Sequence, residues 1–365
     1  MSKYFRYENK EFVEYDHLPC SYIKPTKECL VLSIMEDSSR PKVELIGLFI
    51  KKQNIENVYL DFISTESYID VNTYKRLEVE LSGFNLKILT VNILNCEFKS
   101  HIFFPVHANQ LYEVFCGNNF LESNKFIQLN VLRSKKRLKK YLFLNHHIRT
   151  ERFKIFESLY NNNNLDDGLV SFNWTLDNDK FDSRHYDVSN EDMEYILKSE
   201  AYKILPIELD GDNNANYVFK NDIKHIANPV YFQPQHTNVT HFHNTYFEII
   251  TEGFSSRTPV HPYADRSNIL HYSEKIYKPL MFMNPFSFWG PENTLEQFSK
   301  HLGFSFECPL YHCNNMGYDL DAFNTKVNEF ASLSYSDLHG IYYDNFEEFE
   351  HNRNTLIRYL ENIQL

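Results

Sequence analysis

The sequence predicts an α/β fold built as two Rossmann-like domains, and three observations lead there. The chain has 365 residues, 42% apolar and 16% aromatic, which is too long for one small module and rich enough to fill two cores. Within residues 58–94 two apolar runs flank a helical pattern, the strand–helix–strand order of a parallel sheet. Near residue 140 a second strand–loop–helix start appears, and from residue 245 the order strand, loop, helix, strand, helix, strand gives half of a doubly wound domain.

Taken in order, residues 29–35 and 43–50 are apolar runs that read as strands, or as a strand and a short helix. Residues 58–63 and 86–94 read as buried strands, with a helix over 67–81 between them and Ser67 as its N-cap. Residues 133–140 hold six basic side chains in eight and read as a solvated linker or strand edge at a domain boundary. The strand 141–144 leads to a helix capped by Thr150, with Phe153, Phe156, Leu159 and Tyr160 on one face and the asparagines 161–164 ending it. The strand 245–250 ends at Thr251-Glu252-Gly253. Ser273 caps a helix running from 274 to about 283, and Asn284-Pro285 turns it into a strand at 286–289. Gly290-Pro291 turns again into a helix over 292–302, closed by Gly303. The last helix carries Phe346, Phe349, Leu356, Leu360 and Ile363 on an apolar stripe, with Glu347, Glu348 and Glu350 facing away or sitting at its positive N-terminal end. The expected segments are a domain 1–135, a domain 140–345 and a terminal amphipathic helix 346–365.

Composition removes several function classes. The net charge is −12, which argues against a protein gripping nucleic acid mainly by charge. Only 10 glycines occur, and neither a G-x-G-x-x-G fingerprint, a phosphate loop nor a kinase glycine loop is found. The cysteines Cys20, Cys29, Cys96, Cys116, Cys308 and Cys313 form no C-x-x-C pair and read as free thiols in a reducing compartment. With no apolar run of about 18 residues and no signal-peptide pattern at the start, neither a membrane span nor export is expected, and the expected location is the cytoplasm.

The strongest chemical signal is the start of the 274–283 helix. A helix N-terminus offers unpaired N–H groups and a positive dipole end to an anion. Lys275 adds a mobile cation suited to a pyrophosphate, and Glu274 can accept hydrogen bonds from ribose hydroxyls. The plain alternative is that Glu274 and Lys278 make an ordinary i,i+4 pair on a surface helix.

The run Ser273-Glu-Lys-Ile-Tyr-Lys-Pro-Leu280, preceded by Phe247-Glu-Ile-Ile-Thr-Glu-Gly253 and followed by Asn284-Pro-Phe-Ser-Phe-Trp-Gly290, resembles the donor-binding half of fucosyltransferase-like GT-B glycosyltransferases. Upstream, Phe143-Leu-Asn-His-His-Ile-Arg-Thr-Glu-Arg152 is similar to the strand and arginine helix that open that domain. It also resembles a group of viral and bacterial proteins with Asn-x-x-x-Arg-x-x-Arg at this place. The likeness covers residues 141–305 with a gap in the middle, and departs in having Ser273 for the commoner Thr and Pro279 one turn into the helix. It implies a GT-B-like pair of domains facing across a cleft, with 1–135 on the acceptor side, 140–345 on the nucleotide-sugar side and the helix 346–365 packing back toward the first, and transfer of a sugar from a nucleotide-sugar donor to a hydroxyl acceptor such as a glycan. It further implies Glu274 at the ribose, Lys275 at the diphosphate, Glu252 at the donor sugar or ribose, and Arg149 or Arg152 neutralising the leaving diphosphate. Asn145 and Lys278 join these as donor-side candidates.

Fixed cations can carry the leaving-group charge, so no cofactor is required and a divalent metal is not favoured. An inverting transfer needs a general base. The resemblance puts it in the first domain, where Asp37, Asp61, Glu66 and His107 are candidates, Glu66 and Asp61 foremost. Metal readings remain beside this one. D-x-D pairs occur at Asp177/Asp179, Asp210/Asp212 and Asp319/Asp321, and His236, His241 and His243 cluster, the last two on one face if the segment is a strand. Residues 1–140 hold 20 Lys+Arg against 17 Asp+Glu, and residues 141–365 hold 17 against 32. The basic edge at 133–140 therefore keeps a nucleic-acid acceptor as the alternative, beside a non-catalytic module of the same fold that binds a nucleotide or glycan.

Overall fold

A computed structural model describes residues 2–8, 10–16, 27–34, 42–62, 71–90, 92–94, 101–103, 129–145, 149–172, 188–207, 209, 239–251, 269–271, 274–290, 294–313 and 319–362. The chain divides into two compact units: Met1–Asn109 with Pro259–Tyr272 and Tyr359–Leu365, and Gln110–Thr258 with Ser273–Arg358. Both are α/β units on largely or wholly parallel sheets, as the sequence predicts. No helix among the described residues is long and apolar enough to cross a membrane.

The first unit opens on an antiparallel hairpin, β1 (Lys3–Glu8) and β2 (Glu11–Tyr15). Then follow β3 (Leu30–Ile34), α1 (Val43–Gln53), β4 (Asn57–Asp61), α2 (Val71–Glu80), β5 (Asn85–Thr90), β6 (Asn92–Leu94) and β7 (His101–Phe103). The sheet order is β2-β1-β3-β4-β5-β7, parallel from β1 onward. Those parallel strands are added in chain order without reversal, and right-handed crossovers then put successive helices on one face. Two ion pairs hold α1 against α2 there, Arg76 to Glu44 and Lys51 to Glu80, both at 2.5 Å. Gly47 lets the helices approach, because a Cβ at that position would lie 2.4 Å from the Glu80 side chain. Leu30, Leu32, Ile34, Val58, Leu60 and Ile88 fill the core beneath Val43, Ile46, Ile50, Tyr74 and Leu77.

One alternative is decided here and one expectation changes. Of the two readings for 29–35 and 43–50, the strand and helix holds, because Val43, Ile46, Gly47 and Ile50 bury one helical face. The run 86–94 is two strands, and β6 leaves the main sheet to pair antiparallel with β11 (Ile269–His271).

The second unit contains α3 (Leu129–Ser134), β8 (Lys139–Asn145), α4 (Thr150–Asn161), β9 (Gly168–Phe172), α5 (Asn190–Lys198), α6 (Val239–His243) and β10 (Thr245–Thr251). After β11 come α7 (Glu274–Phe282), β12 (Phe286–Trp289), α8 (Thr294–Leu302), β13 (His312–Cys313), α9 (Leu320–Ser332), α10 (Tyr335–Asp344) and α11 (Phe346–Asn362), whose residues from Tyr359 on are counted with the first unit. Its sheet is parallel throughout, in the order β13-β12-β10-β8-β9. The chain runs from β8 outward to β9, then returns to the other side of β8 with β10. The strand order therefore reverses between β8 and β10, and a doubly wound sheet opens a crevice outside the carboxyl ends of its strands at such a point.

The basic run 133–140 is neither a solvated linker nor a free edge. Arg137 and Lys140 are buried at 5% and 8% exposure. Arg137 stacks 3.5 Å from the Tyr342 ring centroid and 5.2 Å from that of Tyr246. Lys140 donates to the Ala331 carbonyl and pairs with Asp167 at 2.7 Å. These cations anchor the amino-terminal part of β8 to the helices packed on it, so their charge is consumed inside the unit.

Candidate functional site

β8 is a buried run of Tyr141, Leu142 and Phe143 that ends in Asn145, itself 4% exposed. Arg149 stands in extended geometry (φ −133°) as the N-cap of α4, so Thr150 is the first helical residue and not the cap. The Arg149 side chain makes no capping bond, and its carbonyl receives the first helical hydrogen bond, from the Phe153 N–H. One turn on, the Arg152 Nε donates to Thr251 Oγ1 at 3.0 Å, and Thr251 Oγ1 donates to Asn145 Oδ1 at 3.3 Å. This relay joins the carboxyl ends of β8 and β10 to the start of α4, across the point where the strand order reverses. Asn145 Nδ2 and Thr150 Oγ1 are buried there and have no hydrogen-bond partner among the described residues. Buried polar atoms are rarely left so, and at a switch point such atoms are available to a ligand.

On the other side of β10, α7 begins at Glu274 and brings Lys275 and Lys278, both half-buried, to one helical face. β10 carries Glu248, 6% exposed. Burial raises its carboxyl titration to about 8, while Lys278 and Lys275 hold it down from going higher. Sequence reasoning passed over Glu248 and Thr251. A signal was present, since a carboxylate inside the apolar strand 245–250 is costly without a paired charge.

The structure therefore gathers Asn145 and Arg152 with Thr251, sets Arg149 at the start of the same helix, and puts Lys275 and Lys278 together on one face of α7. Asp61 belongs to the first unit. It ends β4, is fully buried, and accepts a 2.8 Å hydrogen bond from Ser33 Oγ. Glu66, Glu252, Asp37, His107, Ser67, Ser273, His236 and the pairs Asp177/Asp179 and Asp210/Asp212 lie outside the described residues.

Two metal readings are corrected. Asp319 caps α9, its Oδ1 accepting from the N–H groups of Asp321 and Ala322, so this D-x-D pair is helix chemistry. His241 and His243 lie on a short helix rather than a strand. Burial, then the cations Arg137, Lys135 and Arg353, push His243 down to about 3, leaving it neutral at pH 7. No cluster of three or more metal-ligating side chains occurs among the described residues. A separate open groove of about 800 Å³ beside β13, lined among others by Glu296, Phe304, Phe306, Glu307, Phe323 and Lys326, includes none of the donor-side or general-base candidates.

No family model matches the chain, and no curated protein matches it. Among solved structures, it is similar to the crystal structure of alpha,alpha-trehalose 6-phosphate synthase from Burkholderia multivorans. The TM-score is 0.38 and the identity 10%, over 92% of this chain and 72% of that one. A likeness of that size does not reach to substrate or chemistry.

Proposed function

We propose that the chain is a glycosyltransferase that moves a sugar from a nucleotide-sugar donor to a hydroxyl acceptor, with the donor held by the second unit. The observation that carries this reading is the Asn145–Thr251–Arg152 relay at the switch point, with buried donor capacity left open beside the first turn of α4. That is where a doubly wound sheet takes a nucleotide, and the sequence resemblance concerns the same segments.

In this reading Arg149 and Arg152 neutralise the departing diphosphate and Lys275 contacts it, each as a fixed cation where charge develops. Lys278 supports Lys275, Asn145 donates to the donor, Glu274 takes the ribose hydroxyls, and Glu252 stands at the sugar or ribose. Glu66 or Asp61 serves as the general base of an inverting, metal-independent transfer. The acceptor is a glycan or another hydroxyl compound. The nucleic-acid alternative loses its support, because the basic run that suggested it is committed within the unit.

A binding and hydrolysis screen against UDP-, GDP-, CMP- and dTDP-sugars tests the proposal. One donor is expected to bind and to be slowly hydrolysed, and Arg152→Ala and Lys275→Ala are each expected to weaken its binding about tenfold or more. Unchanged donor affinity in both variants would refute the site.

A further inference from the structure

The open groove beside β13 takes no part in the donor-site reading. α8 gives it Glu296, the segment 303–311 gives Phe306 and Glu307, β13 gives His312, and α9 gives Phe323 and Lys326. β13 is the edge strand of its sheet, two places from β10, so the groove lies where the sheet ends. Its wall is fixed. The Ser305 N–H donates to Asn352 Oδ1 at 2.7 Å, and the Glu307 and Cys308 N–H groups donate to the Glu348 carboxylate. Phe306 is half-buried and stands edge-to-face with Tyr311 at 4.9 Å. The half-buried His312 ring lies 5.6 Å from that of Phe323 and 25° from parallel, so Phe323 covers one face of a ring that still lines the groove. Burial, then the charge of Lys326, holds His312 below the ordinary imidazole range, and the ring is neutral at pH 7.

Charge narrows the occupant. Glu296 and Glu307 are exposed and bring two carboxylates to the groove, while Lys326 is tied to Glu329 at 2.8 Å. An anion would meet the carboxylates and a cation already paired, and a cationic ligand would meet Lys326 in the same wall. An added peptide strand would find an edge strand of two residues, too short for a ladder. What fits is a neutral ligand with apolar faces to lay on aromatic rings and hydroxyls to give to carboxylates. A pyranose has both, C–H groups on its face and hydroxyls around its edge. The groove's volume of about 800 Å³ is that of an organic-ligand site, with room for about two or three such rings. We propose that this groove is a saccharide site of the second unit, which takes a neutral oligosaccharide by stacking its rings on His312 and Phe306 and accepting its hydroxyls at Glu296 and Glu307. The site goes beyond the donor-site reading and shares no residue with it.

Titration of the full chain with maltotriose, cellotriose, mannotriose and triacetylchitotriose, each to about 10 mM and followed by backbone amide NMR, tests this. At least one is expected to bind, with the largest amide shifts in 304–313 and 322–326. Trigalacturonate, of similar size but anionic, and a hexalysine peptide are expected to shift those amides little or not at all. His312→Ala, Glu296→Ala and Glu307→Ala are each expected to weaken the saccharide about fivefold or more. Glu296 and Glu307 are exposed, so their variants are expected to keep the wild-type spectrum elsewhere. No shift with any of the four saccharides overturns the proposal, as do shifts centred away from those two segments, a measurement that needs no variant. Equal affinity in all three variants also overturns it, and so does tighter binding of trigalacturonate or hexalysine at the same amides. Nucleotide-sugar binding enters none of these outcomes, so failure here and failure of the donor-site reading are told apart.

Discussion

At the scale of single residues, two buried groups of the second unit tilt stability in opposite directions with pH. The Glu248 carboxyl is raised to about 8, so the folded chain holds a proton that the unfolded chain has lost. Its contribution is complete below the ordinary carboxylate range and fades as pH rises through 8. His243 is lowered to about 3, so the folded chain lacks a proton that the unfolded chain gains. Its contribution is complete above the ordinary imidazole range and fades as pH falls toward 3. Each slope is at most about 1.4 kcal/mol per pH unit. Urea unfolding of wild type, Glu248→Gln and His243→Gln across pH 4–9 checks this. The first variant is expected to flatten the profile between pH 5 and 8, the second between pH 4 and 6, and parallel profiles would contradict both assignments. Arg137 supplies a third residue-scale expectation. Its guanidinium is sandwiched by tyrosine rings and its main-chain N–H donates to Tyr246 Oη at 3.1 Å. Arg137→Met is expected to cost about 1–3 kcal/mol in urea unfolding, against less than about 0.5 for the exposed Lys136→Ala.

At the scale of elements, regular packing was legible from sequence and exceptions to it were not. α4, α7 and α11 announce themselves by stripes of apolar residues, and β8, β10 and β12 by short apolar runs, because each buries a face whose period survives in the sequence. For the same reason the candidate cations Arg149, Arg152, Lys275 and Lys278 could be found as charges at helix starts. Thr251, which accepts from Arg152, and Glu248 could not, since polar residues inside an apolar strand look like noise until the register is known. Glu348 is a similar case. The sequence places it among acids that face away or sit at the N-terminal end of the last helix; it does lie in the first turn, and its carboxylate also binds a neighbouring segment. Its carboxylate accepts from Ser305 Oγ and from the N–H groups of Glu307 and Cys308. Asn352, one turn on, accepts from the Ser305 N–H and donates to the Ser305 carbonyl. The segment 303–311 between α8 and β13 thus has side-chain partners where a strand would have a ladder. Glu348→Ala is expected to cost about 1–3 kcal/mol and to remove hydrogen-exchange protection at Glu307 and Cys308 while sparing the amides of β10. Protection retained at those two amides would show that the clamp does not hold the segment.

At the scale of the whole molecule, the distribution of charge changes meaning once the units are drawn by structure rather than by the basic run. Unit two begins at Gln110, so the cations of residues 133–140 belong to the acidic half of the chain. Most of them are already engaged there. Arg133 lies over Tyr343 and Phe346 and pairs with Glu347 at 3.7 Å. Arg137 is sandwiched by Tyr342 and Tyr246, Lys139 donates to the Asp166 carbonyl, and Lys140 pairs with Asp167. Lys135 donates to Asn244 Oδ1. A phosphate backbone is gripped by cations that release counterions on contact, and affinity then falls steeply with salt in proportion to the contacts made. Cations committed to rings, carbonyls and carboxylates offer few such contacts, and a chain of net charge −12 repels a polyanion at long range. Titration of a fluorescent DNA duplex of about 20 base pairs is therefore expected to give no measurable binding at about 150 mM salt and no steep dependence on salt below it. A dissociation constant under about 1 μM that weakens with a log–log slope of several units would return nucleic acid to the acceptor list and would require these cations to leave their partners. The same measurement repeated with Arg137→Met would then identify the run 133–140 as the surface responsible.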